Sequence, residues 1–73
     1  MRDLSFIHTR ALALNGLIVA GQNRQDTEPV YRRLLQGVEN ARRDAKGFEA
    51  LQIVHSHIDR AREALQKIGA YYE

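Results

Sequence analysis

The chain has no cysteine, no tryptophan and a single proline among its 73 residues. Without cysteine it can form neither a disulfide framework nor a thiolate metal site, which fits a reducing cytoplasm. Serine and threonine are also scarce, so the chain lacks the parts for most covalent mechanisms. It contains no nucleophile elbow, phosphate-binding loop, zinc-finger spacing or dinucleotide fingerprint. We therefore expect a protein that is not an enzyme and holds no cofactor or metal ion.

A strong charge and a long apolar run are missing as well. The 11 basic residues nearly balance the 9 acidic ones, for a formal net charge of +2, so no long-range field draws the chain to nucleic acid or anionic lipid. The most apolar segment, Ala11 to Ala20, is about half as long as a bilayer requires. Asp3 and Arg10 interrupt the pattern of a secretory signal. These features predict a cytoplasmic protein that does not span a membrane.

A seven-residue apolar repeat in the C-terminal third is the strongest pattern that the chain does contain. Its members are three and four residues apart in alternation and share one side of a helix: Leu51, Val54, Ile58, Ala61, Leu65, Ile68 and Tyr72. A helix needs such a seam when it lies against another helix over its whole length. The repeat therefore predicts an all-α fold, and we expect residues 1–73 to form a single helical domain.

A short apolar helix is predicted at the N-terminus, from about Leu4 to Ala20. Asp3 is a suitable N-cap, and Gly21 suits the position after the last helical turn. The residues from Gly21 to Thr27 are polar and are predicted to form a surface loop.

Asp26 or Thr27 is predicted to cap the second helix, with Pro29 in its first turn, where a missing N–H is harmless. Its apolar seam has the same alternating spacing: Tyr31, Leu34, Val38, Ala41, Ala45 and Phe48. The fold expected is thus a three-helix arrangement, with the apolar N-terminal helix packed on a longer antiparallel hairpin.

The connection near Gly47 allows two architectures. The seams of the second and third helices change register there, so the chain either turns or continues as one long helix with a stammer. Lys46 followed by Gly47 favours the turn, because a basic residue suits a last helical turn and glycine readily adopts positive φ. The absence of another turn-forming residue nearby favours the continuous helix.

His55 and Asp59 form the strongest candidate for a chemical site. They lie one turn apart on one helical face, a spacing that can hold a metal or orient an imidazole. His57 lies about 200° around the helix from His55, and His8 could join only through tertiary packing. We expect a solvated pair with no catalytic or metal-binding role.

The function predicted is that of a small protein-interaction module of the adaptor, chaperone or inhibitor type. The N-terminal helix carries apolar residues on three stripes, more than one bundle contact buries, so it either lies centrally in the bundle or offers a partner surface. A 73-residue chain also has a core worth only roughly 3–5 kcal/mol. We expect a homo-oligomer that also binds a protein partner, with Phe6, Leu12, Leu17 and Val19 forming an interface that is expected first of all between identical chains.

A nucleic-acid- or nucleotide-binding protein is the alternative. Its phosphate contacts would come from arginines at subunit junctions: Arg32, Arg33, Arg42 and Arg43. Acidic residues such as Glu39 and Asp44 dilute these clusters, and the aromatic residues lie on or beside the seams rather than free to stack on bases. Nucleic-acid binding is therefore the less favoured reading.

Overall fold

The computed structural model describes residues 3–72, and within this range the chain forms four helices and no strand. These are α1 (Phe6–Val19), α2 (Arg24–Asp44), α3 (Phe48–Arg60) and α4 (Arg62–Tyr72). The all-α class is confirmed. The expected number of three helices is wrong, because the third predicted helix is two consecutive ones, α3 and α4.

The break between α3 and α4 is at Ala61. Its φ of −98° and ψ of 3° lie outside the helical range, and its N–H bonds to the Ile58 carbonyl three residues back, at 3.0 Å. One tighter turn therefore interrupts the α-helical pattern. The apolar spacing runs through this point without a change, so the seam itself carries no sign of the break.

The C-terminal end of α1 is closed by Gly21, as the sequence predicts, but the expected N-cap Asp3 is wrong, because Ser5 occupies that position and its side chain makes no capping hydrogen bond. The Ser5 N–H donates to Asp3 Oδ1 at 2.9 Å. At the other end, the Gly21 N–H bonds to the Ile18 carbonyl and the Gln22 N–H to the Leu17 carbonyl, while Gly21 has a φ of +81°. This is the Schellman pattern that a glycine at C′ makes possible.

Helix α2 begins earlier than expected, at Arg24. Its N-cap is Asn23, an extended residue whose side chain accepts a hydrogen bond from the Gln25 N–H at 2.9 Å. The polar stretch assigned to a loop therefore supplies the cap and first turn of α2. As a result, Pro29 lies inside the helix rather than in its first turn, and Thr27 is buried at 2% exposure.

The chain turns at Gly47, so the predicted turn is confirmed and α2 and α3 do not form one continuous helix. Helix α2 ends at Asp44, and Ala45 is extended, with φ −68° and ψ 120°. Gly47 then precedes α3 with φ 88° and ψ 164°, a combination open essentially to glycine alone.

Helix α1 contacts each of the other three helices. The start of α1 lies beside the end of α2, and Tyr72 at the end of α4 forms a hydrogen bond with Thr27 near the start of α2. Helix α2 therefore runs antiparallel to α1 and to α4. The molecule measures 40 × 21 × 19 Å. Residues from three of the four helices, together with the Ala61 junction, form the buried core: Ile7, Ala11, Leu14, Leu34, Val38, Ala61, Ala64 and Ile68.

Candidate functional site

The outer side of α1 is apolar and open to solvent. Leu12 is 59% exposed, Leu17 41% and Val19 79%, because the stripe through Ile7, Ala11 and Leu14 is the one that faces the core. We call this surface the α1 face, and it consists of Leu12, Ala13, Gly16, Leu17, Val19 and Ala20. No member of the α1 face is charged, and all of them are exposed.

Small residues occupy the middle of the α1 face. Ala13, Gly16 and Ala20 follow one another at spacings of three and four residues, so they lie on one side of the helix. A Cβ placed on Gly16 would meet no atom within 4 Å. The packing within the chain therefore does not require glycine here, and the helix backbone is accessible between the larger side chains of Leu12 and Leu17.

Charged residues border the α1 face on both sides. On the α4 side, Leu12 shares a shallow depression of about 270 Å³ with Arg60, Glu63 and Lys67, and Lys67 pairs with Glu63 at 3.4 Å.

On the opposite border lies Arg10, on α1 itself, and from helix geometry we infer that Arg33 of α2 extends towards the same border. Arg33 is one turn before Gly37, the α2 residue on which the Phe6 ring rests. We call Arg10, Arg33, Arg60 and Lys67 the basic rim. Glu63 lies beside Arg60 and Lys67, so the basic rim and Glu63 together carry a net positive charge.

Phe6, the fourth interface residue expected from the sequence, packs within the chain. It is partly buried against the core. A Cβ added to Gly37 would lie only 2.8 Å from the edge of the Phe6 ring. The Arg10 guanidinium lies 5.7 Å from the ring centroid, a distance at which the cation and the ring attract each other. Phe6 therefore fixes α1 on α2 and is left out of the α1 face.

A second exposed apolar surface lies at the start of α3. Phe48 is 77% exposed, Ile53 41% and Leu51 37%. The sequence places Phe48 at the end of the α2 seam, but the turn at Gly47 makes it the first residue of α3 and directs it into solvent. We call Phe48, Leu51 and Ile53 the α3 surface.

A cavity of about 480 Å³ lies between the start of α1, the end of α2 and α3. Mostly apolar side chains line it, with two carboxylates and one imidazole among them: Asp3, Leu4, Ala41, Asp44, Ala45, Ala50, Ile53, Val54 and His57. Hydrogen bonds from the Ser5 amide and hydroxyl lower the pKa of the Asp3 carboxyl, and His57 and His8 act in the same direction. Asp3 thus carries its negative charge at neutral pH.

The histidines are arranged differently from the expected pair. His55 and Asp59 are both exposed and make no hydrogen bond or ion pair with each other within residues 3–72. Tertiary packing instead stacks His57 on His8, with ring centroids 5.5 Å apart and planes 4° from parallel. His8 Nε2 and His57 Nδ1 are buried without a hydrogen-bond partner. Among residues 3–72 no three side chains are grouped as a metal site requires.

The four arginines of the nucleic-acid alternative are distributed around the exposed part of α2. Arg32 pairs with Glu28 at 2.9 Å, and Arg43 donates to Asn40 Oδ1 at 2.7 Å. Arg32 and Arg43 lie on the same side of α2, and Arg33 and Arg42 lie to either side of them around the helix. The arginines therefore form no single basic surface with aromatic residues beside it, the arrangement typical of nucleic-acid binders.

Sequence reasoning identified the exposed leucines and valine of α1 but missed the basic rim. Arg10, Arg33, Arg60 and Lys67 belong to four different helices, counting Arg60 at the last turn of α3, so no linear pattern connects them. The exposure of Phe48 was missed because its spacing fits the α2 seam. Gly47 could have indicated this exposure, because a turn at a glycine with positive φ ends the α2 seam before Phe48.

No family model, curated protein or solved structure matches this chain. None of the helices within residues 3–72 combines the length and the apolar character needed to cross a bilayer.

Proposed function

We propose that the protein is a small helical protein-interaction module of the adaptor, chaperone or inhibitor type. It binds a protein partner and a second copy of itself through apolar helix faces. The observation that carries this proposal is the α1 face, an uncharged helical surface with Leu12 59% and Val19 79% exposed. A contiguous apolar surface with a polar border is typical of sites where proteins bind one another.

The α1 face offers apolar side chains whose burial would favour binding. Burying one large apolar side chain contributes roughly 1.5–3 kcal/mol. Three such side chains are exposed there, Leu12, Leu17 and Val19, and they are carried by a helix that the core already holds in place. Because the helix is formed before it binds, little ordering cost reduces the affinity.

Self-association is the second half of the proposal, and we assign it to the α3 surface. Phe48 exposes most of an aromatic ring, and a chain of this size gains stability from a second copy. In a two-fold dimer each contact occurs twice, so Phe48 and Leu51 would contribute from both chains. This arrangement leaves the α1 face accessible to another protein.

The test compares the molar mass of three chains by light scattering across a range of protein concentrations. The wild type is expected to associate, a Phe48→Ser, Leu51→Ser double variant to shift toward monomer, and a Leu12→Ser, Val19→Ser double variant to keep the wild-type mass. Helicity from circular dichroism should be similar in all three, since every changed residue is exposed. A wild type that is monomeric at high concentration would contradict self-association, and a monomer produced only by the Leu12 and Val19 changes would place the second copy on α1.

A further inference from the structure

The chemistry of the border identifies the class of partner that the α1 face accepts. We infer that the α1 face binds an amphipathic helix of another protein, with leucine-like side chains on its inner side and acidic residues along its flanks. This inference rests on the proposed function, because it assumes that the α1 face is a docking surface. It adds the partner's secondary structure and the sign of its charge.

The shape of the α1 face fits a helix. Leu12 and Leu17 stand on either side of a channel floored by Ala13, Gly16 and Ala20, and helices pack by placing the side-chain ridge of one into the groove of the other. Helix α1 has 14 residues and is about 21 Å long. A partner helix of similar length would cover it with apolar residues at i, i+3, i+4 and i+7.

The charge of the border selects an acidic partner. The basic rim carries four positive charges, on Arg10, Arg33, Arg60 and Lys67, and Glu63, which pairs with Lys67, reduces the net charge of this border to +3. The flanks of a helix lying on the α1 face would run along these side chains. Acidic flanks are attracted to the rim, and basic flanks are repelled by it.

The same charges disfavour a second copy on the α1 face. Two copies packed through this surface would bring two positively charged borders together, with Arg33 and Arg60 of one chain near basic residues of the other. Like charges brought together at an interface oppose binding. The uncharged centre of α1 could pack against any apolar helix. The basic rim, however, repels a second copy of this chain and attracts a partner with acidic flanks.

The experiment uses two synthetic helical peptides with identical leucine positions, one with glutamate and one with lysine at the flanking positions. Fluorescence anisotropy with the full chain is expected to show at least about tenfold tighter binding of the glutamate peptide at low salt. The difference should shrink at high salt, because added ions screen exposed charges. Leu12→Ser should weaken binding, whereas the matched change Leu35→Ser should not, since Leu35 is 45% exposed on α2.

A charge-reversed chain, Arg33→Glu with Lys67→Glu, tests the role of the rim directly and is expected to prefer the lysine peptide. If both peptides bind the wild type equally and Leu12→Ser weakens both, the acidic preference is overturned while the proposed docking function stands. If neither peptide binds, or if the glutamate peptide binds regardless of Leu12→Ser, the inference is overturned together with the docking role of α1. A dimer that depends on Leu12 would overturn the inference in favour of a second copy.

Discussion

At the scale of single residues, Gly37 and Phe6 determine how closely α1 approaches α2. The ring edge of Phe6 occupies the space where any other residue at position 37 would place its Cβ, with the nearest ring atom at 2.8 Å. Gly69, in α4, has no such neighbour within 4 Å of its Cβ position. Both glycines are inside helices, where glycine costs about 1 kcal/mol relative to alanine.

We therefore expect a change from glycine to alanine to affect the free energy of unfolding differently at Gly37 and at Gly69. Gly69→Ala should raise the free energy of unfolding by up to about 1 kcal/mol. Gly37→Ala should lose some or all of that gain, because the Phe6 ring must move. In a Phe6→Ala background Gly37→Ala should recover the full gain, which urea unfolding can measure as a double-mutant cycle. Additive effects would show that the ring does not rest on Gly37.

At the scale of the elements, the positive-φ glycines set where helices end and begin. Gly21 closes α1 with φ +81°, and Gly47 precedes α3 with φ +88°. The carbonyl of Gly47 also accepts the Leu51 N–H at 3.2 Å, so this residue both reverses the chain and starts the next helix. The sequence-based prediction of a turn rested on this glycine, and the prediction is confirmed.

Replacing Gly47 is expected to destabilise the hairpin. Gly47→Ala should lower the free energy of unfolding by roughly 1–3 kcal/mol, the cost of holding a side chain in this backbone region. Gly47→Pro should also destabilise, because proline is restricted to φ near −65°. The neighbouring change Lys46→Ala is the control and should alter stability by less than about 0.5 kcal/mol. Unchanged unfolding of Gly47→Ala in urea would contradict the positive φ.

At the scale of the whole molecule, a cluster of contacts joins the end of α4 to the start of α2. The rings of Tyr31 and Tyr72 stack with centroids 4.5 Å apart, and the Tyr72 hydroxyl donates to Thr27 Oγ1. Arg24 donates to the Tyr72 carbonyl at 2.9 Å. These contacts connect residues more than 40 positions apart, so they hold the last helix in the bundle.

Removing the Tyr72 hydroxyl should therefore weaken the whole fold. Tyr72→Phe keeps the stacked ring but loses the bond to Thr27, at a cost of about 0.5–1.5 kcal/mol. For a domain of this size each kcal/mol corresponds to a shift of roughly 4–8 °C in Tm. Tyr71→Phe removes a hydroxyl that makes no such bond within residues 3–72, so its melting curve should match the wild type. Equal Tm values for the two variants would contradict this role of Tyr72.

The sequence by itself determined the helical class and the local signals. Gly21 closes α1 and Gly47 reverses the chain, because the need for positive φ depends on a few neighbouring residues. The apolar side of α1 was also readable, since helical periodicity assigns Leu12 and Leu14 to different faces. The sequence predicted Leu12 to be exposed, and the structure leaves it 59% exposed; for Phe6, on another stripe, periodicity did not show that it packs on Gly37.

Tertiary packing decided the rest. It packed Phe6 on Gly37. It stacked His8 on His57 instead of pairing His55 with Asp59, and it interrupted a continuous seam at Ala61. It also brought the basic rim together from residues distant in the chain. Each of these outcomes depends on contacts between elements, and a periodic pattern within one element holds no information about what lies opposite it.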